Sequence, residues 1–141
     1  MTLSRLFVYG TLRGDLSHEM SMALAQRASL LGEGAVQGQL FNLGTYPGLV
    51  LSDRAQDVVK GEVYEIAPER LQATLNLLDE YEGLGPLDPE PHEYRREAVR
   101  VALSSGELVD AWAYVLNQTT QGLPRIPSGD FREWRDAHPV S

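Results

Sequence analysis

Glycine and proline cut the apolar residues of this chain into short β-favouring runs, and that punctuation limits how much of it can be helix. Leu6, Phe7, Val8 and Tyr9 form the first run, stopped by Gly10, which reads as a buried strand running into a loop. Leu30 to Phe41 contains Gly32, Gly34 and Gly38, poor residues for a helix interior, while Val36, Leu40 and Phe41 suit a bent or bulged strand. Asn42 to Gly48 reads as a turn, Leu49 to Leu51 and Val58 to Ile66 as two further strands. Tyr94 to Leu103 and Glu107 to Leu116 flank Ser104, Ser105 and Gly106 and form a hairpin. Its second strand carries Leu108, Asp110, Trp112 and Tyr114 on one face and Val109, Ala111, Ala113 and Val115 on the other.

Helical spacing is clearest where Pro68 and Glu69 precede Leu71, Leu75 and Leu78: proline suits a first helical turn and a carboxylate complements its dipole. A shorter helix is expected over His18 to Ala28, entered through Ser17. Gly83 to Pro91 holds two glycines and three prolines and must be a loop. From Asn117 onward the chain is loop-like, with a terminal helical piece after Ser128. Strands joined mostly by short turns predict an α+β domain with an antiparallel or mixed sheet rather than a doubly wound parallel one. The 141 residues, 43% of them hydrophobic, are expected to form one domain, residues 1–141, with 117–141 as a loop-rich tail.

The inventory excludes several chemistries. There is no cysteine, so thiolate nucleophiles, disulfides and cysteine metal sites are ruled out, and a reducing cytoplasm fits. His18, His92 and His138 lack metal-ligand spacing, and no metal or cofactor is expected. A net charge of −8, with Lys60 the only lysine and the arginines scattered, offers no basic stripe for nucleic acid. No run approaches the roughly 18 apolar residues of a membrane span, so a cytoplasmic protein without a membrane partner is expected. Nothing in the sequence sets the oligomeric state.

Two features carry chemistry. On a helical wheel Glu82 falls on the Leu71, Leu75 and Leu78 stripe, Glu80 on the opposite face and Asp79 on the flank. A carboxylate at a helix C-terminus against apolar surface loses hydration and meets the negative end of the dipole, and both raise its pKa towards the range useful for a general acid and base. The competing reading is that Glu82, next to Gly83, frays into water. The second feature is Tyr9 to Arg13, YGTLR, where a strand ends at glycine and leaves backbone N–H groups free to bind an anion; strand–glycine junctions are common, so the reading stays open on chemistry alone. Ser128, Gly129 and Asp130 read as a nucleophile loop or equally as a helix cap, and no histidine is tied to them by pattern.

Taken in order, FVYGTLR, LGTYPGLV, GEVYEI, LLDEYEG, EYRREAV and AWAYVL resemble the gamma-glutamylcyclotransferase-like superfamily, most nearly its small bacterial gamma-glutamylamine cyclotransferase-like branch. The resemblance runs from Leu6 to about Phe131 and implies a small mixed, barrel-like sheet with flanking helices. It further implies that the loop of Tyr9, Gly10, Thr11 and Leu12 holds a small γ-glutamyl substrate through backbone amides, and that Glu82 is the acid/base residue. The implied reaction is attack of the substrate α-amine on its own side-chain amide, giving 5-oxoproline and a free amine without a cofactor. Tyr94 and Tyr114 are candidates to line the pocket, with core packing as the alternative; Arg13, Arg95 and Arg96 are left outside the catalytic set. A non-catalytic binding module of the same fold, or removal of a γ-glutamyl group from a biosynthetic intermediate, are the competing functions.

Overall fold

The computed structural model describes residues 3–10, 24, 26–44, 46–84 and 90–137. In chain order these form β1 (Arg5–Val8), β2 (Ala28–Asn42), β3 (Pro47–Leu51), β4 (Val58–Ile66), a 3-10 turn (Pro68–Arg70), α1 (Leu71–Tyr81), β5 (Tyr94–Leu103), β6 (Leu108–Leu116), β7 (Arg125–Ile126) and α2 (Phe131–Ala137). Most of the expected helix over His18 to Ala28 lies outside the described residues. Leu24, Gln26 and Arg27 are helical, but Ala28 already belongs to β2, where it pairs with Ile66.

Five strands close into a mixed barrel in the order β1, β4, β2, β3, β6 and back to β1. Most pairings are antiparallel, as short connections require. The two that complete the ring are parallel and brief: Leu6 opposite Trp112 and Leu49 opposite Val115. β5 folds back on β6 from Tyr94 opposite Leu116 to Ala102 opposite Leu108, then meets β2 at Gly34 opposite Leu103. The long β2 serves four neighbours, and it bends to do so through an irregularity between Leu30 and Gly32, the bulged strand its glycines predict.

Strand alternation sorts side chains into two clusters. Phe7, Val36, Leu40, Leu49, Val59, Val63, Val101, Ala111, Ala113 and Val115 fill the barrel, joined from the C-terminal segment by Ile126 and Phe131. Leu6, Val8, Tyr64 and Ile66 turn outward to meet Leu71, Leu75 and Leu78 of α1, with Tyr94, Tyr114 and Leu116 in the same layer. Leu6, Phe7 and Val8 of β1 are buried on both faces of the sheet, which is why they form an unbroken apolar run. Each fully buried leucine of α1 contributes about 1.5–3 kcal/mol to this docking, so the helix is held by packing rather than by propensity.

Beyond β6 the chain adds β7 against Leu40 and Phe41 of β2, then α2. Asp130 caps α2 by accepting from the Glu133 N–H at 3.2 Å, and Ser128 Oγ accepts from the Asp130 N–H at 3.3 Å. The Ser128–Asp130 segment is therefore a helix entry. Asp57, 4% exposed, braces this end by accepting from Gln39 Nε2, Ser52 Oγ and Arg125 Nη2.

The tight crossing of β1 and β4 depends on Gly61. A Cβ there would stand 2.2 Å from the Val8 carbonyl oxygen and 2.8 Å from the Phe7 ring. Gly61→Ala should therefore force the strands apart and lose about 1–3 kcal/mol or more, read as a lower urea midpoint at unchanged slope.

Candidate functional site

Helix α1 is ended by its sequence rather than left to fray. Gly83 takes φ +81°, a conformation glycine adopts without the Cβ penalty. The Gly83 N–H then donates to the Glu80 carbonyl at 3.2 Å and the Leu84 N–H to the Asp79 carbonyl at 2.8 Å, the two bonds of a Schellman motif. Leu84 packs into the same outer cluster as Leu78, completing the apolar contact of the motif. Glu82 occupies the C-cap itself, its N–H bonded to the Leu78 carbonyl at 2.9 Å. The helix stops one residue short of Glu82, yet the locked turn keeps the carboxylate partly buried in the protein.

The wheel places the neighbouring acids correctly. Glu80 is exposed. Asp79 on the flank takes the Arg96 guanidinium through two hydrogen bonds, 2.9 and 3.2 Å, and also the Tyr114 hydroxyl at 2.7 Å. Arg96 in turn lies over the Trp112 ring at 4.6 Å. Asp79 thus ties α1 to the β5–β6 hairpin and fixes the direction in which Glu82 leaves the helix.

The Glu82 carboxyl is pushed up to about 7 from an ordinary 4.5, first because burial strips water from its charged form and second because the Glu93 carboxylate is close by. Its own charge bears on four phenols, Tyr9, Tyr46, Tyr94 and Tyr114. Burial is the main cause that raises Tyr9, Tyr94 and Tyr114, so all three stay protonated. Their hydroxyls are committed within the protein: Tyr9 donates to the Tyr114 carbonyl at 2.5 Å and accepts from the Leu49 N–H at 3.1 Å, and Tyr94 donates to the Pro47 carbonyl at 2.6 Å. Gly10 abuts the same corner, where a Cβ would stand 2.9 Å from Pro47 Cγ. One rim of the barrel, where β1 and β6 end and β3 and β5 begin, therefore faces the end of α1. Among the described residues no hydrogen bond or ion pair engages the Glu82 carboxylate, and no cluster of three acidic or histidine side chains could hold a metal.

The sequence profile of the family described as gamma-glutamyl cyclotransferase, AIG2-like, matches residues 6–134. The chain belongs to this family. It is 37% identical over 128 residues to the gamma-glutamylcyclotransferase family protein YtfP of Escherichia coli, covering 90% of this chain and 95% of that one. The solution structure of Escherichia coli ytfP superposes with a TM-score of 0.60 at 35% identity, covering 94% of this chain and 98% of that one. A crystal structure of a Pyrococcus horikoshii protein superposes with a TM-score of 0.65 at 30% identity, over 96% and 95% of the two chains. YkqA of Bacillus subtilis is longer: this chain spans 42% of it, with a TM-score of 0.68 and 28% identity. No helix among the described residues is long and apolar enough to cross a membrane.

Within this gamma-glutamyl cyclotransferase, AIG2-like fold, Glu82, Tyr9, Gly10, Tyr94 and Tyr114 come to one end of the barrel; Thr11 and Leu12 lie outside the described residues. Two neighbours have no signal in the sequence reading. Tyr46 belongs to a segment that reads only as a turn, and Glu93 stands at the edge of a proline-rich loop; the Tyr46 hydroxyl donates to Glu93 Oε1 at 2.8 Å. A polar residue flanking a strand has no periodicity of its own, so only the folded chain shows the pair.

A carboxyl raised in the folded state binds its proton more tightly there than in the unfolded chain. Its contribution to stability is complete below about 4.5 and is lost as pH rises through about 7. Glu82→Gln should remove that dependence. Its Tm relative to the unsubstituted protein should rise between pH 5 and pH 8 (~3 pH units spanning the transition), measured by thermal unfolding across the series.

Proposed function

We propose that the protein is a gamma-glutamylcyclotransferase in the strict sense, converting a γ-glutamyl amine or amino acid to 5-oxoproline and a free amine with Glu82 as base and acid. The observation that carries this reading is a single carboxyl, locked at a helix C-cap and raised to about 7, in a partly dry site with no described partner of its own. Such a group can both take and give a proton near neutral pH.

The reaction moves two protons from the substrate α-nitrogen to the leaving nitrogen and needs no external nucleophile. Glu82 takes a proton from the substrate α-ammonium, and the freed amine attacks the γ-carbonyl carbon to close a five-membered ring. The carbonyl oxygen carries the developing charge. As the tetrahedral intermediate collapses, the C–N bond to the leaving amine breaks and Glu82 returns its proton to that nitrogen, while the second proton shed by the ring nitrogen passes by the same carboxylate to the released amine, which departs as its ammonium. Because attack is intramolecular, the protein's main task is to hold the substrate folded with amine and carbonyl in contact.

The backbone N–H groups at Gly10, Thr11 and Leu12 are the proposed anion-binding donors, each worth roughly 3 kcal/mol if aimed at the oxyanion. Tyr94 and Tyr114 donate their hydroxyl protons to Pro47 and Asp79, so they can offer a substrate only lone pairs and ring faces. That suits contact with the substrate ammonium rather than with its carboxylate. Tyr9 both donates and accepts already, and its proposed part is to fix the corner from which the Gly10 loop departs.

The test is to incubate the protein and its Glu82→Gln variant with γ-glutamyl amino acids and γ-glutamylamines, including γ-glutamyl-ε-lysine, and to quantify 5-oxoproline. Product should appear with the unsubstituted protein and fall about a hundredfold or more in the variant. Equal rates would remove Glu82 from the mechanism. Loss of substrate without 5-oxoproline would indicate hydrolytic removal of the γ-glutamyl group, and no turnover with retained binding would indicate a binding module.

A further inference from the structure

A hollow of about 230 Å³ lies where β4, β2 and β5 run side by side, and none of its lining residues is among the groups that bear on Glu82. Its floor follows from the register of the strands. Lys60 of β4 stands opposite Ala35 of β2, and Ala35 opposite Ala102 of β5, so two methyl groups occupy positions where longer side chains would cover the sheet. The Lys60 N–H donates to the Gly129 carbonyl at 2.7 Å, which brings Asp130 and Arg132 up to the hollow as a further wall. The Ser104 N–H donates to the Glu33 carbonyl at 3.0 Å and fixes Ser104 beside Glu33 in the lining.

The charges of the hollow are not matched as charges elsewhere in this sheet are. Arg5 meets Glu65 directly opposite it at 3.5 Å, and Arg100 meets Asp110 opposite it at 3.3 Å. Lys60, the only lysine in the sequence, has an alanine opposite it instead, and Glu33 stands opposite Glu62, a like charge that disfavours the pairing. Glu62 is buried and accepts from Arg132 Nη2 at 3.4 Å, so its charge is answered from α2. Glu33 has no such answer. Among the described residues no hydrogen bond or ion pair engages the Glu33 carboxylate, the Lys60 ammonium or the Ser104 hydroxyl. Glu33 and Lys60 are diagonal neighbours across the two strands, a separation of about 7–8 Å at the backbone. They line one cavity with opposite charges and stand apart in it rather than paired.

We propose that this hollow is a binding site for a free amino acid, with Glu33 receiving the ammonium, Lys60 and the Ser104 hydroxyl receiving the carboxylate, and the Ala35 and Ala102 methyls lying beneath. One unpaired group of each sign matches a zwitterion; a simple anion or cation would meet one charge of its own sign. Size agrees with this class. The volume corresponds to about eight waters of liquid, and it falls short of the roughly 300–1,000 Å³ of pockets that take drug-sized ligands. A bound ammonium also relieves the opposition of Glu33 and Glu62, which gives the folded sheet a reason to favour the occupied site. The inference is independent of Glu82 and of turnover.

The test is an NMR titration of the 15N-labelled protein with glycine, L-alanine, L-glutamate and L-lysine, following the backbone amides of Gly34, Gly61 and Ser104. At least one of these amino acids should shift those amides saturably, with a Kd of roughly 1 mM or tighter. Acetate and methylammonium, each alone at matched ionic strength, should not saturate them. Lys60→Met and Glu33→Gln change exposed side chains, so both variants should keep their Tm, and each should weaken binding about tenfold. Ala102→Leu should abolish binding by filling the floor while leaving both charges in place. The proposal is overturned if none of the amino acids gives a saturable shift, or if acetate or methylammonium alone binds as well. It is equally overturned if the shifts fall on Tyr9 and Gly10 while Gly34, Gly61 and Ser104 stay unmoved.

Discussion

The Tyr9 hydroxyl joins three strands that the chain delivers from far apart. It donates to the carbonyl of Tyr114 on β6 and accepts from the N–H of Leu49 on β3, while Tyr9 itself ends the β1 run. β1 and β6 share only one paired position, and so do β3 and β6, so the backbone ladder alone closes the ring weakly here. A buried phenol supplies both a donor and an acceptor to backbone groups that the diverging strands leave over. The corner it makes is where Gly10, Pro47, Tyr94 and Tyr114 meet, and every feature of the candidate site is referred to it.

On the other side of that corner, helix α1 supplies Glu82, the proposed proton-transfer group, and depends on two restraints of different kinds. Leu71, Leu75 and Leu78 dock the helix on the outer face of the barrel, which fixes its position but leaves rotation and end geometry to be set. Asp79 sets the rotation by engaging Arg96 and Tyr114, and Gly83 sets the end by turning the backbone back on itself. Glu82 lies between these two restraints in sequence. Its raised pKa follows from that placement: a carboxylate free to fray would stay hydrated and titrate as an ordinary acid. The cost falls on stability above pH 5, a common relation between a buried titrating group and the fold that carries it.

The strands were largely legible in the sequence because burial on a sheet face imposes a period that survives in the residue order. β5 spans the residues Tyr94 to Leu103 that their pattern marks, and Val109, Ala111, Ala113 and Val115 are the inward face of β6 as the alternation requires. The bulge in β2 was legible through its glycines. β7 was not, since two residues paired to one strand leave no pattern. Glu82 was singled out by its wheel position, but whether it was held or frayed turned on Gly83, whose positive φ a sequence permits without requiring.

By itself the sequence determined the element types, the inward faces, the exclusion of thiol chemistry and the family motifs, because these follow from side-chain inventory and from spacing along one strand or helix. Only the tertiary structure decided which residues surround Glu82. Tyr46 and Glu93 are 47 residues apart and carry no shared motif, and their hydrogen bond exists because β3 and β5 begin at the same rim of a closed barrel. Closure is a long-range property: it depends on two single-residue parallel contacts and one phenol, none of which has a local signature. A carboxylate's proton affinity depends on the charges and the water around it, and in this protein the groups that bear on Glu82 come from four separate segments of the chain.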